Sequence, residues 1–166
     1  MSILFHGFWI IAWCWFVNLS LNAFGYVCMK STWLAQYDVP LDGTQNFIDG
    51  RPVFGASTTV GGLLVVFVEG AAGALLWPYH YLFLFAVLVY AGHALGSFIK
   101  RRLNFSRGEY LPFIDHGDYL FVAGGFAYLF GLLSVYTLFV WILATILVTP
   151  LITNLSYRLR VRRAPW

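Results

Sequence analysis

Long apolar runs that are almost free of charge are the feature that most limits what this chain can fold into. Five such runs lie between the charged stretches, at about residues 3–27, 53–77, 79–99, 119–135 and 137–157. Most of them approach or exceed the roughly 20 residues that a helix needs to cross the hydrocarbon core of a bilayer. Charged residues make up only 10% of the 166 positions. The sequence therefore predicts an all-α integral membrane protein, with about five transmembrane helices in a single polytopic domain covering residues 1–166.

The ten basic residues are confined to three stretches of the chain. Lys30 and Arg51 fall in or beside the first connection, at about residues 28–52. The others occupy the connection at about residues 100–118 and the end of the chain: Lys100, Arg101, Arg102 and Arg107, then Arg158, Arg160, Arg162 and Arg163. With five crossings all three stretches lie on one side of the membrane, and the positive-inside rule makes that side the cytoplasm. We expect the N-terminus outside, the C-terminus in the cytoplasm, and the protein in the cell (inner) membrane.

Two carboxylates stand close to the predicted start of the fourth helix. Asp115 and Asp118 are three residues apart, so they point the same way if that segment is helical. Acidic residues at a helix N-terminus act as caps, which is one interpretation of the pair. Magnesium binding is the other, because this hard cation takes one or two carboxylates together with substrate phosphates. A further interpretation treats the charged connections as ordinary solvated loops.

The end of the third predicted helix carries a second polar group of residues. His93, Ser97, Lys100 and Arg101 are spaced by four, seven and eight positions, so they share one helical face. That face would bring a hydroxyl and two cations to the membrane surface.

Glu69 is the one acidic residue deep inside a predicted span. A charged side chain at the centre of a membrane helix costs about 2.5–3.5 kcal/mol on insertion scales, so Glu69 should face the bundle interior. We expect it to pair with Asn18, Ser20 or Asn22 on the first helix. A proton relay in a transporter is the alternative, although the sequence shows neither an internal repeat nor a pair of broken helices.

Several short motifs occur in a fixed order along most of the chain. The first connection contains PLDG and DGRPVFG, the next charged stretch contains GSFIKRRL, a downstream RG and IDHGDY, and the chain ends in NLSYRLRVRRAPW. In order, spacing and topology these motifs resemble the CDP-archaeol synthase family, which is related to the CDP-diacylglycerol synthases.

The resemblance implies an activity and a set of functional residues. The expected reaction moves a cytidylyl group from CTP to a lipid phosphate, either phosphatidate or an archaeal-type ether lipid phosphate, with Mg²⁺ as cofactor. By resemblance, Asp115 and Asp118 bind the metal, and Lys100, Arg101 and Asp118 are catalytic. The substrate-binding residues implied in the same way are Asp42, Asp49, Arg51, Ser97, Lys100, Arg101 and Arg102. The expected partners are CTP, the lipid phosphate and the bilayer; a homo-oligomer is compatible with the sequence, and no nucleic acid is expected.

Three positions depart from the family pattern. Thr58 and Gly61 stand where the family has a lysine and an arginine, and His93 stands where an aspartate that binds metal is expected. Loss of one preorganised electrostatic donor can lower a rate by roughly 10²-fold or more. His93 could still ligate a softer divalent metal through a neutral imidazole. Two hypotheses follow: a working cytidylyltransferase with an altered site, or a catalytically degenerate homologue that binds lipid or a partner protein.

Overall fold

Five α-helices account for most of the described chain. The computed structural model describes residues 3–76, 80–106, 109–111 and 113–158. The helices are α1 (Ile3–Lys30), α2 (Val60–Leu76), α3 (Leu82–Arg102), α4 (Ile114–Leu129) and α5 (Val135–Arg158). Three helical stretches are long and apolar enough to cross a membrane, namely Gly7–Cys28, Leu82–Arg102 and Val135–Ile152, and Val60–Leu76 is a shorter apolar helix. The prediction of an all-α membrane fold with about five helices is confirmed.

Helix α2 begins at Val60 rather than near residue 53. The residues before it form turns, since Gly55 has a positive φ of 72° and the Val60 N–H donates to the carbonyl of Val39 at 2.9 Å. The first connection, which also contains a short 3₁₀ helix (Leu34–Tyr37), is therefore longer than predicted.

Helix α4 covers Ile114–Leu129 instead of about residues 119–135. It begins earlier because its acidic residues lie inside the helix, each paired with a side chain of α3. Some of the predictions lie outside the described residues. They are the end of the second helix at residue 77, the start of the third at residue 79, and the positions of Arg107 and of the arginines after Arg158.

Helix α3 is the centre of the bundle and packs against α1, α2 and α4. Its Phe85 and Val89 are fully buried in the apolar core. Two glycines let α4 approach closely. A Cβ at Gly92 would stand 2.8 Å from the Asp118 carbonyl oxygen, and one at Gly96 would stand 3.0 Å from the Asp118 Cβ. The α3–α4 contact therefore brings Asp118 directly against the last turns of α3.

The Glu69 carboxylate of α2 interacts with the Ser20 side chain of α1, and its Oε2 is buried with no hydrogen-bond partner within the described residues. This interaction agrees with the predicted pairing of Glu69 with the first helix.

Candidate active site

Residues from three separate parts of the chain meet at the C-terminal end of α3. The Ser57 hydroxyl of the first connection lies 3.2 Å from the Ser97 hydroxyl of α3. The Arg51 guanidinium, also in that connection, donates to the backbone carbonyls of Arg101 and Arg102. On the other side of α3 the beginning of α4 supplies carboxylates. The structure thus brings together the first connection, the end of α3 and the start of α4.

Lys100 is bound to the start of α4. Its Nζ lies 2.8 and 3.0 Å from the two carboxylate oxygens of Asp115, and it also donates to the carbonyl of Glu109. The Asp115 carboxylate in turn accepts the N–H of Leu111 at 2.7 Å. Phe113 holds the N-cap position and makes no side-chain cap, whereas Asp115 lies in the first turn of α4, where a negative charge is favoured. This carboxylate joins α3 to the segment that leads into α4.

Arg102 fastens the first connection to α3. Its guanidinium lies between the rings of Phe47 and Phe98, at 5.0 and 4.7 Å from their centroids. The same group is 3.2 Å from a carboxylate oxygen of Asp49 and donates to the Pro52 carbonyl. These contacts order the first connection, and they pair the charge of Arg102 with a carboxylate of the protein itself.

Asp42 organises the turn that precedes α2. Its carboxylate accepts the N–H groups of Phe54 and Gly55, both at 2.8 Å, and of Thr44 at 3.1 Å. Partial burial opposes ionisation, but the N–H bonds outweigh it and hold the pKa of Asp42 below its ordinary value. In this structure Asp42 therefore serves the shape of the first connection.

Arg101 differs from its two basic neighbours. Its side chain is buried, with 8% of the residue exposed, and it donates to the Phe105 carbonyl. Its Nε has no hydrogen-bond partner, and within the described residues no carboxylate pairs with it. A buried guanidinium without a counter-ion is unfavourable, and its planar donors suit a phosphate. Of the three consecutive basic residues, Arg101 is the one that has no carboxylate partner within the described residues, since Lys100 is paired with Asp115 and Arg102 with Asp49.

Asp118 is paired with His93 across the α3–α4 contact. The His93 Nδ1 lies 3.3 Å from one Asp118 oxygen, and its Nε2 lies 2.9 Å from the side-chain oxygen of Asn18. Both ring nitrogens thus face oxygen acceptors within the bundle. This arrangement leaves neither nitrogen directed at a metal ion.

The donor set at the start of α4 can be tested against magnesium. No group of three His, Cys, Asp or Glu side chains in the described ranges could hold a metal ion. Asp115 and Asp118 nevertheless lie three residues apart on α4, and two carboxylates are sufficient where substrate phosphates supply further oxygens. The residues therefore fit a Mg²⁺ ion that arrives with phosphates better than one held in a cage of protein ligands.

Two of the three departures from the family pattern have become part of the packing. Thr58 is 2% exposed, and its hydroxyl has no hydrogen-bond partner in the described part of the chain. At Gly61 a Cβ would stand 2.6 Å from the Phe24 ring and 2.7 Å from the Tyr37 carbonyl oxygen, so a larger side chain does not fit. Neither position supplies a cation.

Sequence reasoning missed two contributors to this region. Asn18 was expected near Glu69, yet its side-chain oxygen contacts His93, which is 75 positions away. The Phe47 and Phe98 rings that enclose Arg102 were also missed. No sequence pattern links the first connection to α3, so their contact could not be predicted. Only the tertiary fold brings these residues together.

These features define a multi-helix membrane protein with a polar site at one end of its bundle. The site contains two carboxylates and a buried guanidinium that has no carboxylate partner in the described part of the chain. A model of the CarS-like family, described as CDP-archaeol synthase, matches residues 71–166. A CDP-archaeol synthase of Staphylothermus marinus is 34% identical over 76% of this chain and 78% of its own length. The one from Pyrobaculum calidifontis is 36% identical over 76% and 81%, and that of Pyrococcus furiosus is 32% identical over both full lengths.

A solved structure of an intramembrane enzyme for archaeal membrane lipid biosynthesis is also similar. It is 29% identical, covers 70% of this chain and 78% of its own, and superposes with a TM-score of 0.59. The chain belongs to the CDP-archaeol synthase family.

Proposed function

We propose that this chain transfers a cytidylyl group from CTP to a lipid phosphate, giving a CDP-lipid and pyrophosphate. The observation that carries the proposal is the buried guanidinium of Arg101, which has no carboxylate partner in the described chain. The acids of α4 are near the same end of α3 but are paired with Lys100 and His93. The relatives are named CDP-archaeol synthases, which supports an archaeal-type ether lipid phosphate as the acceptor. Phosphatidate is the acceptor to compare with it.

The reaction requires positioning and charge neutralisation more than covalent work by the protein. An oxygen of the lipid phosphate attacks the α-phosphorus of CTP and forms a new P–O bond. The bond between the α-phosphorus and the bridging oxygen breaks, and pyrophosphate leaves with its electrons. Arg101 donates to the phosphate oxygens on which negative charge accumulates. Lys100 can join it only by exchanging its contact with Asp115 for one with phosphate.

Asp115 and Asp118 are the residues that would hold Mg²⁺ in this site. When bound, the ion neutralises part of the triphosphate charge. Asp115 is oriented by Lys100 and Asp118 by His93, so the protein fixes both carboxylates before the substrate arrives. The ordered first connection covers the other side of α3 through Asp49 and Arg51.

The position of the site agrees with the sources of its substrates. CTP comes from water and the lipid phosphate from the bilayer, so the chemistry belongs where headgroups meet solvent. The first connection and the end of α3 are in contact there, and the end of α3 carries three consecutive basic residues. By the positive-inside rule this is the cytoplasmic face of a multi-pass protein in the cell membrane.

The direct test uses purified protein in nanodiscs with radiolabelled CTP, Mg²⁺ and two lipid phosphates, one ether-linked and one ester-linked. Wild type should release labelled CDP-lipid, and EDTA should abolish product formation until Mg²⁺ is restored. Arg101→Met keeps the side-chain length but removes the cation, and should lower kcat/KM roughly 10²–10³-fold. Asp118→Ala should lower kcat/KM by at least as large a factor.

The matched control is Lys30→Met, which removes an exposed cation at the end of α1 that contacts only the Tyr26 ring in the described structure. It should leave kcat/KM unchanged. Equal activity of the Arg101 and Lys30 variants would remove the role assigned to Arg101. If wild type makes no CDP-lipid from either acceptor, the degenerate-homologue hypothesis is favoured.

A further inference from the structure

A chain of polar contacts inside the bundle leads to Asp118. The Trp15 indole N–H donates to the Thr145 hydroxyl at 3.0 Å. The Tyr119 hydroxyl interacts with both Thr145 and Asn18. Asn18 then contacts His93 at 2.9 Å, and the His93 Nδ1 lies 3.3 Å from the Asp118 carboxylate. The contacts connect α5, α1, α4 and α3 and end on a carboxylate of the proposed active site.

His93 controls the rotation of the Asp118 carboxylate. One Asp118 oxygen accepts the backbone N–H of Tyr119 at 2.7 Å, and the other faces His93. The terminal torsion of an aspartate is broad, so a single backbone contact does not fix it. The side chain is only 10% exposed and is pressed against α3 at Gly96, where water cannot replace the histidine easily. Loss of the contact with the His93 Nδ1 should therefore let this carboxylate rotate.

Asn18 in turn holds the His93 ring. Its side-chain oxygen contacts the His93 Nε2, and it also accepts from the Asn22 amide at 3.2 Å. The ring lies 5.8 Å from the Tyr119 ring, with an angle of 34° between their planes. A flipped ring would turn carbon atoms toward both oxygen acceptors, so the observed orientation is the one that satisfies them.

We propose that Asn18 and His93 are positioning residues that act through Asp118. They orient its carboxylate toward the phosphates without touching the substrate themselves. The inference depends on the proposed function, since it assigns a purpose to the orientation of Asp118. A purely structural cluster that only joins α1 to α3 is the alternative, and the two differ in what a donor-preserving substitution does.

Two substitutions of His93 separate these alternatives. In His93→Asn the amide nitrogen takes the place of Nδ1 and keeps the contact with Asp118. In His93→Gln the amide nitrogen takes the place of Nε2 and keeps the contact with Asn18 instead. Positioning predicts that kcat of His93→Gln falls roughly 10–100-fold, the usual cost of losing an outer partner of a metal-binding side chain. It predicts that kcat of His93→Asn stays within about threefold of wild type, with the KM for lipid phosphate unchanged in both.

A double-mutant cycle tests whether His93 acts through Asp118. In the Asp118→Asn background, His93→Gln should lower the residual kcat less than twofold, because the carboxylate that it orients is already gone. Asn18→Leu, which removes the acceptor for Nε2, should resemble His93→Gln in kcat. Additive losses in the cycle, or equal kcat for the Asn and Gln variants of His93, would refute the inference.

A measurement of CTP binding tests the role of His93 without depending on enzymatic turnover. Calorimetry of CTP binding at increasing Mg²⁺ should require roughly 10–100-fold more Mg²⁺ for half-maximal binding with His93→Gln, and nearly the wild-type concentration with His93→Asn. Thermal unfolding in detergent should show similar Tm values for the two variants. If wild type makes no CDP-lipid, the proposed function fails, and the Mg²⁺ dependence of CTP binding alone decides whether His93 positions Asp118. Equal Mg²⁺ requirements of the two variants refute it.

Discussion

Replacing Gly92 by alanine tests whether the α3–α4 contact sets the geometry of the site. The added Cβ would stand 2.8 Å from the Asp118 carbonyl oxygen and 2.9 Å from the Tyr119 backbone nitrogen. Both atoms belong to the backbone of α4, so no flexible side chain can move aside. The added Cβ would also overlap the Tyr119 Cα. Because non-bonded carbon atoms pack at about 3.5–4.0 Å, the two helices must separate by roughly 1 Å or more.

Separating α3 from α4 should lower the stability of the fold and, more strongly, the rate of the reaction. Overpacking of this kind destabilises by about 1–3 kcal/mol. The Lys100–Asp115 and His93–Asp118 pairs both bridge α3 and α4, so both lengthen when the helices part. A displacement of about 1 Å between groups that must align can lower a rate by roughly 10²-fold. We expect Gly92→Ala to lower kcat/KM for CDP-lipid formation by about that factor.

Gly125 supplies the matched control, since a Cβ there would meet nothing within 4 Å. Gly125→Ala should keep wild-type activity and raise stability by about 0.5–1 kcal/mol, the usual gain of alanine over glycine in a helix interior. The assay is CDP-lipid formation in nanodiscs, with thermal unfolding of the same preparations. If the Gly92 and Gly125 variants have equal kcat/KM, close approach of α3 and α4 does not control the site.

Two further predictions concern the first connection. Arg102→Leu removes the cation held between the rings of Phe47 and Phe98, and with it the ion pair with Asp49. Amide hydrogen exchange across residues 42–55, measured by mass spectrometry, should then accelerate about tenfold. An unchanged exchange rate would contradict the inference that Arg102 fastens the first connection to α3. Because folding lowers the pKa of Asp42, its ionised carboxylate stabilises the folded connection fully above the ordinary pKa of about 3.9. This stabilisation is lost as the pH falls through the lowered pKa. Protection of the Phe54 and Gly55 amides should follow that loss in wild type, whereas Asp42→Asn should show no such pH dependence.

Much of the helical framework could be predicted from the sequence, because uncharged apolar length is a local property. The predicted ranges for α1 and α5 differ from the observed Ile3–Lys30 and Val135–Arg158 by no more than a few residues. The start of α4 was placed too late for a physical reason. Charge was taken to mark solvent, but Asp115 and Asp118 are each paired with a side chain of α3 and so can lie within a packed helix.

The partners within the site could not be predicted in the same way. Sequence spacing placed Ser97, Lys100 and Arg101 on one helical face, yet it contains no information on which residues of other segments lie opposite them. The contact of His93 with Asn18, and that of Arg102 with Asp49, depend on the packing of distant segments. The site residues came from the family resemblance, whereas the structure alone shows which of them are already engaged.

The different environments of three consecutive basic residues follow from helical geometry. Successive residues of an α-helix are rotated by about 100°, so Lys100, Arg101 and Arg102 leave α3 in three directions. Lys100 meets Asp115 of α4, and Arg102 meets Asp49 of the first connection, so each has a carboxylate partner. Arg101 points to neither acid and is buried beside Gly55, where a Cβ would be 3.3 Å from its Nε. A charge that is costly to bury alone would be stabilised there by a substrate phosphate, so we expect substrate binding to depend on Arg101 more than on its two paired neighbours.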